Sequence, residues 1–192
     1  MKVTLIAGGV GGAKMAEGFD GLAGVELSVI GNIADDAAFH GLWVSPDIDT
    51  LTYSLAGRID RSQGWGVADE GHRALGVLKE LGSETWMTLG DRDFGLHIYR
   101  SHALAQGQSR SAIAAHVAKA FGVKSQILLP TDDVVQTRVK VAEGWLSFQE
   151  YFVREQCQPE VLALDYAGIE AARTTPAALA AIAEAELIVL AP

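Results

Sequence analysis

The sequence predicts an α/β fold built on a mostly parallel sheet, and three observations carry that prediction. Short apolar runs bounded by Gly or Pro recur at residues 3–7, 25–31, 126–129 and 186–190, the pattern of strands buried on both faces. Helical periods lie between them. A glycine-rich turn, Gly8-Gly9-Val10-Gly11-Gly12, joins the first run to the first helical period.

Taken in order, residues 3–7 form a first strand and 11–19 the helix after it, followed by a second strand at 25–31 and a short extended piece at 41–44. Residues 47–57 and 69–81 read as helices and 85–89 as a strand. Residues 109–121 form a helix, with Ser109 at its start and Gly122 just past its end. A short strand follows at 126–129. The runs 137–141 and 145–152 flank Ala142-Glu143-Gly144, which suggests a β-hairpin, either inserted or at an antiparallel edge. Residues 161–166 suggest another strand. Thr175-Pro176 opens an Ala-rich helix to residue 185, with Thr as N-cap and Pro in the first turn. The final strand, 186–190, runs into Ala191-Pro192 as if into a strand–helix loop. In parallel sheets such loops hold ligands. The expectation is therefore one domain over residues 1–192, the N-terminal part of a longer protein.

Composition narrows the function. With 192 residues, 49% of them hydrophobic, the chain can bury a core and is not intrinsically disordered. Lys+Arg 15 against Asp+Glu 24 leaves a net charge of −9, a poor balance for binding nucleic acid or an anionic membrane. One cysteine, Cys157, excludes a disulfide framework and a multi-Cys zinc site, and reads as a small buried hydrophobe. The run 3–7 stops at Gly8-Gly9, too short for a signal peptide, and no stretch approaches a membrane span. The expectation is a soluble, cytoplasmic protein.

The first candidate site is Gly8-Gly9-Val10-Gly11-Gly12-Ala13-Lys14. Glycines let backbone approach a phosphate, a helix N-terminus aims N–H groups at it, and Lys14 adds a charge. The spacing is neither G-x-G-x-x-G nor a Walker A loop. The second strand ends at Gly31-Asn32, with no acidic residue for a ribose, which argues against a dinucleotide. The second candidate is Asn32-Ile33-Ala34-Asp35-Asp36 followed by Phe39-His40-Gly41-Leu42-Trp43-Val44-Ser45-Pro46-Asp47-Ile48-Asp49-Thr50. Ser45 suits an N-cap, Pro46 the first helical position, and the acids the helix dipole. The same carboxylates beside a phosphate loop suit Mg²⁺. On a regular helix Asp47 and Asp49 do not share a face, so both serve one metal only if the helix starts at about residue 49. Asp91-Arg92-Asp93, after Leu89-Gly90, reads as a turn or as an anion fork, and Thr131-Asp132-Asp133 has the same loop position. Phe148-Gln149-Glu150-Tyr151-Phe152 reads as hairpin core. The five histidines form no metal-binding spacing, and no G-x-S-x-G elbow occurs.

Together these stretches, with Leu55-Ala56-Gly57, Gly64-Trp65-Gly66 and the continuation to Val153, are similar in order to the CofD family, the 2-phospho-L-lactate transferases of coenzyme F-420 biosynthesis. The resemblance implies a Rossmann-like fold with helices on both faces and a β-hairpin insertion, usually as a homodimer. It implies Mg²⁺-dependent transfer of a 2-phospho-lactyl type group from a guanosine diphospho donor to the deazaflavin Fo, releasing GMP. On this chain the nucleotide would meet Gly9, Val10, Gly11, Gly12, Lys14, Asp91, Arg92, Thr131 and Asp132. Asp47 and Asp49 would serve the metal and the transfer, with Asp36 acting on the hydroxyl. Trp43 and Trp65 are candidates to line the acceptor pocket or to pack in the core. Family members continue past the last strand with a Ser-Asn-Pro loop, and often carry Thr-Gly where Ile33-Ala34 stand here. A YvcK-like regulatory protein that binds a nucleotide-sugar is the alternative; Gly11-Gly12-Ala13-Lys14 and Gly90-Asp91-Arg92-Asp93 favour the transferase.

Overall fold

The computed structural model describes residues 1–192. The chain begins with β1 (Lys2–Ala7), α1 (Gly9–Asp20) and β2 (Glu26–Gly31), then a short hairpin of β3 (Ala37–Phe39) and β4 (Leu42–Val44). Four helices follow: α2 (Pro46–Leu55), α3 (Arg73–Glu80), α4 (Asp91–Ala105) and α5 (Arg110–Ala120). The rest is β5 (Gln126–Leu128), β6 (Gln136–Val141), β7 (Gly144–Ser147), β8 (Ala163–Ala167), α6 (Pro176–Glu184) and β9 (Leu187–Leu190).

The expected α/β fold is present. A four-stranded sheet runs β5-β2-β1-β9, and every pair in it is parallel. Leu5 of β1 stands between Val29 of β2 and Val189 of β9. Alternation along β1 sorts its side chains. Val3, Leu5 and Ala7 enter a core with Ala13 and Ala16 of α1, Leu51 of α2 and Ala114 of α5. Thr4 faces the other way, where its hydroxyl donates to the Ala181 carbonyl of α6 at 2.7 Å. Helices therefore pack on both faces, with Ile6, Ile188 and Leu190 left exposed. The chain winds outward from β1 through β2 to β5, then returns to the opposite side of β1 for β9. That reversal opens a crevice at the carboxyl ends of β1 and β9, where open parallel sheets bind ligands.

The expected hairpin is β6–β7, with Val141 opposite Gly144, and β8 pairs with β6 on its other edge to make a three-stranded antiparallel sheet. The Thr137 N–H donates to the Ala34 carbonyl at 2.7 Å and ties this sheet to the loop after β2. In the β3–β4 hairpin the two turn residues, His40 and Gly41, have φ of 53° and 79°. This is the paired left-handed geometry that matches strand twist.

Four local expectations are corrected. Residues 85–89 pair with no strand; Met87 and Leu89 instead pack with Val44, Leu75 and Phe94. The helix expected at 69–81 is confined to Arg73–Glu80. The strand expected at 145–152 stops at Ser147, whose hydroxyl accepts from Glu150 N–H at 3.2 Å while Glu150 accepts from Ser147 N–H at 2.8 Å. This reciprocal cap starts a π-helical turn, Glu150–Arg154. Cys157 is exposed rather than buried.

Candidate functional site

The crevice is built first from backbone. β1 ends at Ala7, Gly8 is extended (φ −146°, ψ 158°), and α1 starts at Gly9 with no side-chain cap from Gly8. First-turn N–H groups of a helix lack intrahelical acceptors, so α1 presents N–H groups and the positive end of its dipole to the crevice. Gly12 must be glycine: a Cβ there would lie 2.8 Å from the Ala7 Cβ, so its absence lets α1 pack onto β1. At Gly11 a Cβ would lie 2.9 Å from the Pro192 carbonyl oxygen, which places the segment after β9 against the glycine turn. Lys14 is exposed on α1, one turn further along.

The carboxylates that meet this helix end are Asp47 and Asp35. The Gly9 N–H faces the Asp47 carboxylate and works against the rise in its pKa. Asn32, one residue past β2, donates through Nδ2 to Asp47 at 2.8 Å and to Asp35 at 2.9 Å, while its Oδ1 accepts from Ala34 N–H at 3.0 Å. One amide thus bridges two half-buried acids. Burial, then the neighbouring Asp47 charge, pushes Asp35 up to about 6, against hydrogen bonds from Thr137 and Asn32. Burial also raises Asp47, opposed by Asn32 and Gly9. The pair is held close although its like charges repel, which is what a cation would relieve.

The other two acids point inward. Asp36 is 4% exposed. Its Oδ2 accepts from the Ser45 hydroxyl at 2.7 Å and from Trp43 Nε1 at 3.2 Å, and its Oδ1 is buried without a partner. Burial is the main reason that Asp36 rises to about 7. Ser45, at the N-cap position of α2, therefore bonds Asp36 rather than capping its own helix. Asp49 is buried in a two-pronged pair with Arg100 of α4, at 3.1 Å to Nη1 and with Nη2 on its other oxygen. Arg100 Nη1 also lies 3.2 Å from His97 Nδ1. Burial, reinforced by the Arg100 charge, lowers His97 and keeps its ring neutral. Since α2 begins at Pro46, the condition for Asp47 and Asp49 to converge fails: Asp47 faces the crevice and Asp49 faces Arg100.

The remaining expected contacts have structural partners. Asp91 accepts from Ala74 N–H at 2.9 Å and pairs with Arg73, joining the starts of α3 and α4. Arg92 donates to the Ala68 carbonyl at 2.6 Å. Asp132 accepts from Ser111 N–H at 2.7 Å and from its hydroxyl at 2.9 Å, which caps α5. Thr131 is buried and accepts from Asp133 N–H at 3.0 Å. None of these bonds reaches the glycine turn. Asn32 opens the second candidate stretch of the sequence, but its role as the bridge between two acids is not legible there. Its partner Asp47 lies 15 positions away, so only its place directly after a parallel strand could have signalled it.

A glycine turn at the switch point of a parallel sheet, with two acids fixed against its helix end, is one of many nucleotide-site layouts. The family model for "2-phospho-L-lactate transferase CofD" decides among them: it matches residues 3–192. The chain belongs to the CofD family. It is 38% identical over 199 residues to a phosphoenolpyruvate transferase of Kitasatospora aureofaciens, covering 100% of this chain and 62% of that protein. A phosphoenolpyruvate transferase of Mycobacterium tuberculosis is 35% identical over 213 residues, with 100% and 64% covered. A 2-phospho-L-lactate transferase of Methanosarcina mazei is 34% identical over 191 residues, with 99% and 63% covered. The CofD chain thus spans less than two thirds of the length of these curated relatives. A crystal structure of a UPF0052 family protein from Bacillus halodurans superposes with TM-score 0.68 at 13% identity, over all of this chain and 58% of that one, and shares its fold. No helix is long and apolar enough to cross a membrane.

Proposed function

We propose that this CofD-family chain carries the donor half of a transferase site. The reaction moves a three-carbon 2-phospho acid from a guanosine diphospho donor to the ribityl alcohol of Fo and releases GMP. The observation that carries this reading is the Asn32-bridged pair Asp35 and Asp47, set against the N-terminus of α1 at the switch point of the sheet. The names of the relatives, phosphoenolpyruvate and 2-phospho-L-lactate transferase, share one chemical class: a three-carbon acid with its phosphate on C2.

The residues present suit Mg²⁺, which takes one or two carboxylates plus phosphate oxygens. Asp35 and Asp47 would hold it, and their mutual repulsion supports the fit. Bound there, Mg²⁺ would neutralise pyrophosphate charge as the bridging oxygen leaves. The chain's own work is positioning. First-turn amides at Val10 and Gly11 receive phosphate oxygens, and Lys14 adds long-range attraction. The acceptor alcohol attacks the β-phosphorus. One P–O bond forms, the P–O bond to GMP breaks, and the hydroxyl proton passes to water. Asp36, buried against Ser45 and Trp43, braces the start of α2 on this reading.

Calorimetric titration with GDP tests the proposal, with and without Mg²⁺. Mg²⁺-dependent GDP binding that is lost in Asp35→Asn and Asp47→Asn supports it. Preference for a UDP-sugar, or binding indifferent to both substitutions, overturns it.

A further inference from the structure

Three of the four tryptophans have their rings engaged. Trp43 donates its N–H to Asp36 and lies under Arg110 at 4.7 Å. Trp86 donates to Glu84, meets Phe39 edge-on at 5.5 Å, and lies under Arg154. Trp145 lies under Arg138 and Lys140 at 5.3 and 5.5 Å. Trp65 has no ring partner, no cation over it and no acceptor for its N–H, and 46% of it is exposed.

Its loop is nevertheless built to hold it. Asp60 Oδ1 accepts from Ser62 N–H at 2.8 Å and from its hydroxyl at 2.6 Å, and Oδ2 accepts from Gln63 at 2.9 Å. The backbone closes the turn, with Gly64 N–H to Asp60 O at 2.8 Å and Asp60 N–H to Gly66 O at 3.0 Å. Ile59 and Val67 pair antiparallel at its base. Arg61 then pins the loop to α1 through Glu17 at 2.6 Å. Gly64 lies on the glycine turn itself: at its φ of 81° a Cβ would be 2.9 Å from Val10 Cγ1. Two left-handed glycines, Gly64 and Gly66, flank Trp65, so side chains give way to backbone on both sides of the indole. A hydrogen-bonded clasp therefore carries one large unpartnered ring on a loop whose Gly64 touches the first turn of α1.

We propose that Trp65 is a stacking platform for a planar fused heteroaromatic ring of a ligand whose phosphate lies at the glycine turn. This rests on the functional reading above and deepens it. Guanine of the donor and the deazaflavin of the acceptor share the required chemistry. Indole–base stacking typically changes affinity by tenfold or more on truncation to alanine.

The test compares the parent chain with Trp65→Ala and Trp65→Phe in Mg²⁺ buffer by calorimetry and tryptophan fluorescence. The probes are inorganic pyrophosphate, GDP and riboflavin. The expected result is pyrophosphate affinity equal in all three proteins. GDP or riboflavin should then bind about tenfold more weakly to Trp65→Ala, recover in Trp65→Phe, and quench the parent fluorescence. A GDP effect assigns the ring to the donor, and a riboflavin effect assigns it to the acceptor. Equal GDP and riboflavin affinities across the variants, with pyrophosphate bound, overturn the platform while sparing the glycine turn. Failure of the parent chain to bind pyrophosphate and GDP overturns the glycine-turn reading and the platform with it.

Discussion

Asp47 and Asp49 stand two residues apart on one helix, and exchanging each for asparagine should have opposite consequences. Asp49→Asn replaces one carboxylate oxygen with an NH₂ group facing the Arg100 guanidinium. The arginine is buried, and its other contacts are the Trp43 carbonyl at 3.4 Å and the His97 ring. Leaving one charge of a buried pair uncompensated costs about 3–5 kcal/mol. For a chain of this size each kcal/mol lowers Tm by about 2–4 °C, so Tm should fall by about 6–20 °C. Asp47→Asn keeps an oxygen for the Gly9 N–H and removes the repulsion from Asp35. What it loses is a half-exposed charge at a helix N-terminus, about 0.3–1 kcal/mol. Its Tm should stay within about 4 °C of the parent, while Mg²⁺-dependent GDP binding falls at least tenfold. Scanning calorimetry and titration on both variants check this. If Asp49→Asn melts with the parent and loses Mg²⁺ dependence, while Asp47→Asn does neither, the assignment of interior and crevice acids is wrong.

Asp36 rises from 3.8 to about 7 on folding. Its protonated form is favoured in the native state, so that stabilisation is full below about pH 4 and is lost as pH rises through about 7. The Tm of the parent should therefore fall relative to Asp36→Asn between pH 5 and 8, and a constant difference would contradict the buried placement. Asp35, raised to about 6, must release its proton to take a cation. Mg²⁺ affinity should strengthen as pH rises through about 6 with proton release, and Asp35→Asn should flatten that dependence in calorimetry run in two buffers. Gly12→Ala drives a Cβ to 2.8 Å from that of Ala7, which should cost about 1–3 kcal/mol as overpacking. An unchanged Tm would mean that α1 shifts freely on β1.

The central sheet was legible because unbroken apolar runs mark β1, β2 and β9: Val3, Leu5, Leu27 and Val29 are buried in the core, and the run of β9 stands out even though Leu187, Ile188 and Leu190 are exposed. The glycine turn was legible for a related reason: close backbone approach leaves few choices besides glycine. α4 was not legible. Its inward face carries His97 and Arg100, both buried, and these interrupt the apolar periodicity by which a helix declares itself. The strand expected at residues 85–89 is the converse error. Met87 and Leu89 alternate because they pack against Phe94 and Leu75, without a neighbouring strand to bond. Ser45 was a sound N-cap by type, but Asp36 competes for its hydroxyl, and that competition is tertiary.

The acidic motifs show most directly what one dimension hides. Asp35-Asp36 and Asp47-x-Asp49 each offer two carboxylates, and each is divided in the same sense. The first acid faces the crevice, where Asn32 bonds both Asp35 and Asp47. The second turns inward, where Ser45 and Trp43 hold Asp36 and Arg100 holds Asp49. In the first motif a tight turn, closed by the Asp36 N–H on the Ile33 carbonyl at 3.1 Å, sends the two neighbouring side chains apart. In the second, the start of α2 at Pro46 places positions 47 and 49 about 200° apart around the helix. Both inner acids brace the element that carries the outer ones. Asp49–Arg100 bolts α2 to α4, and Asp36–Ser45 fixes the entry to α2 against the loop after β2. The outer pair can thus be held close against its own repulsion, because the inner pair anchors the backbone on which each outer acid stands.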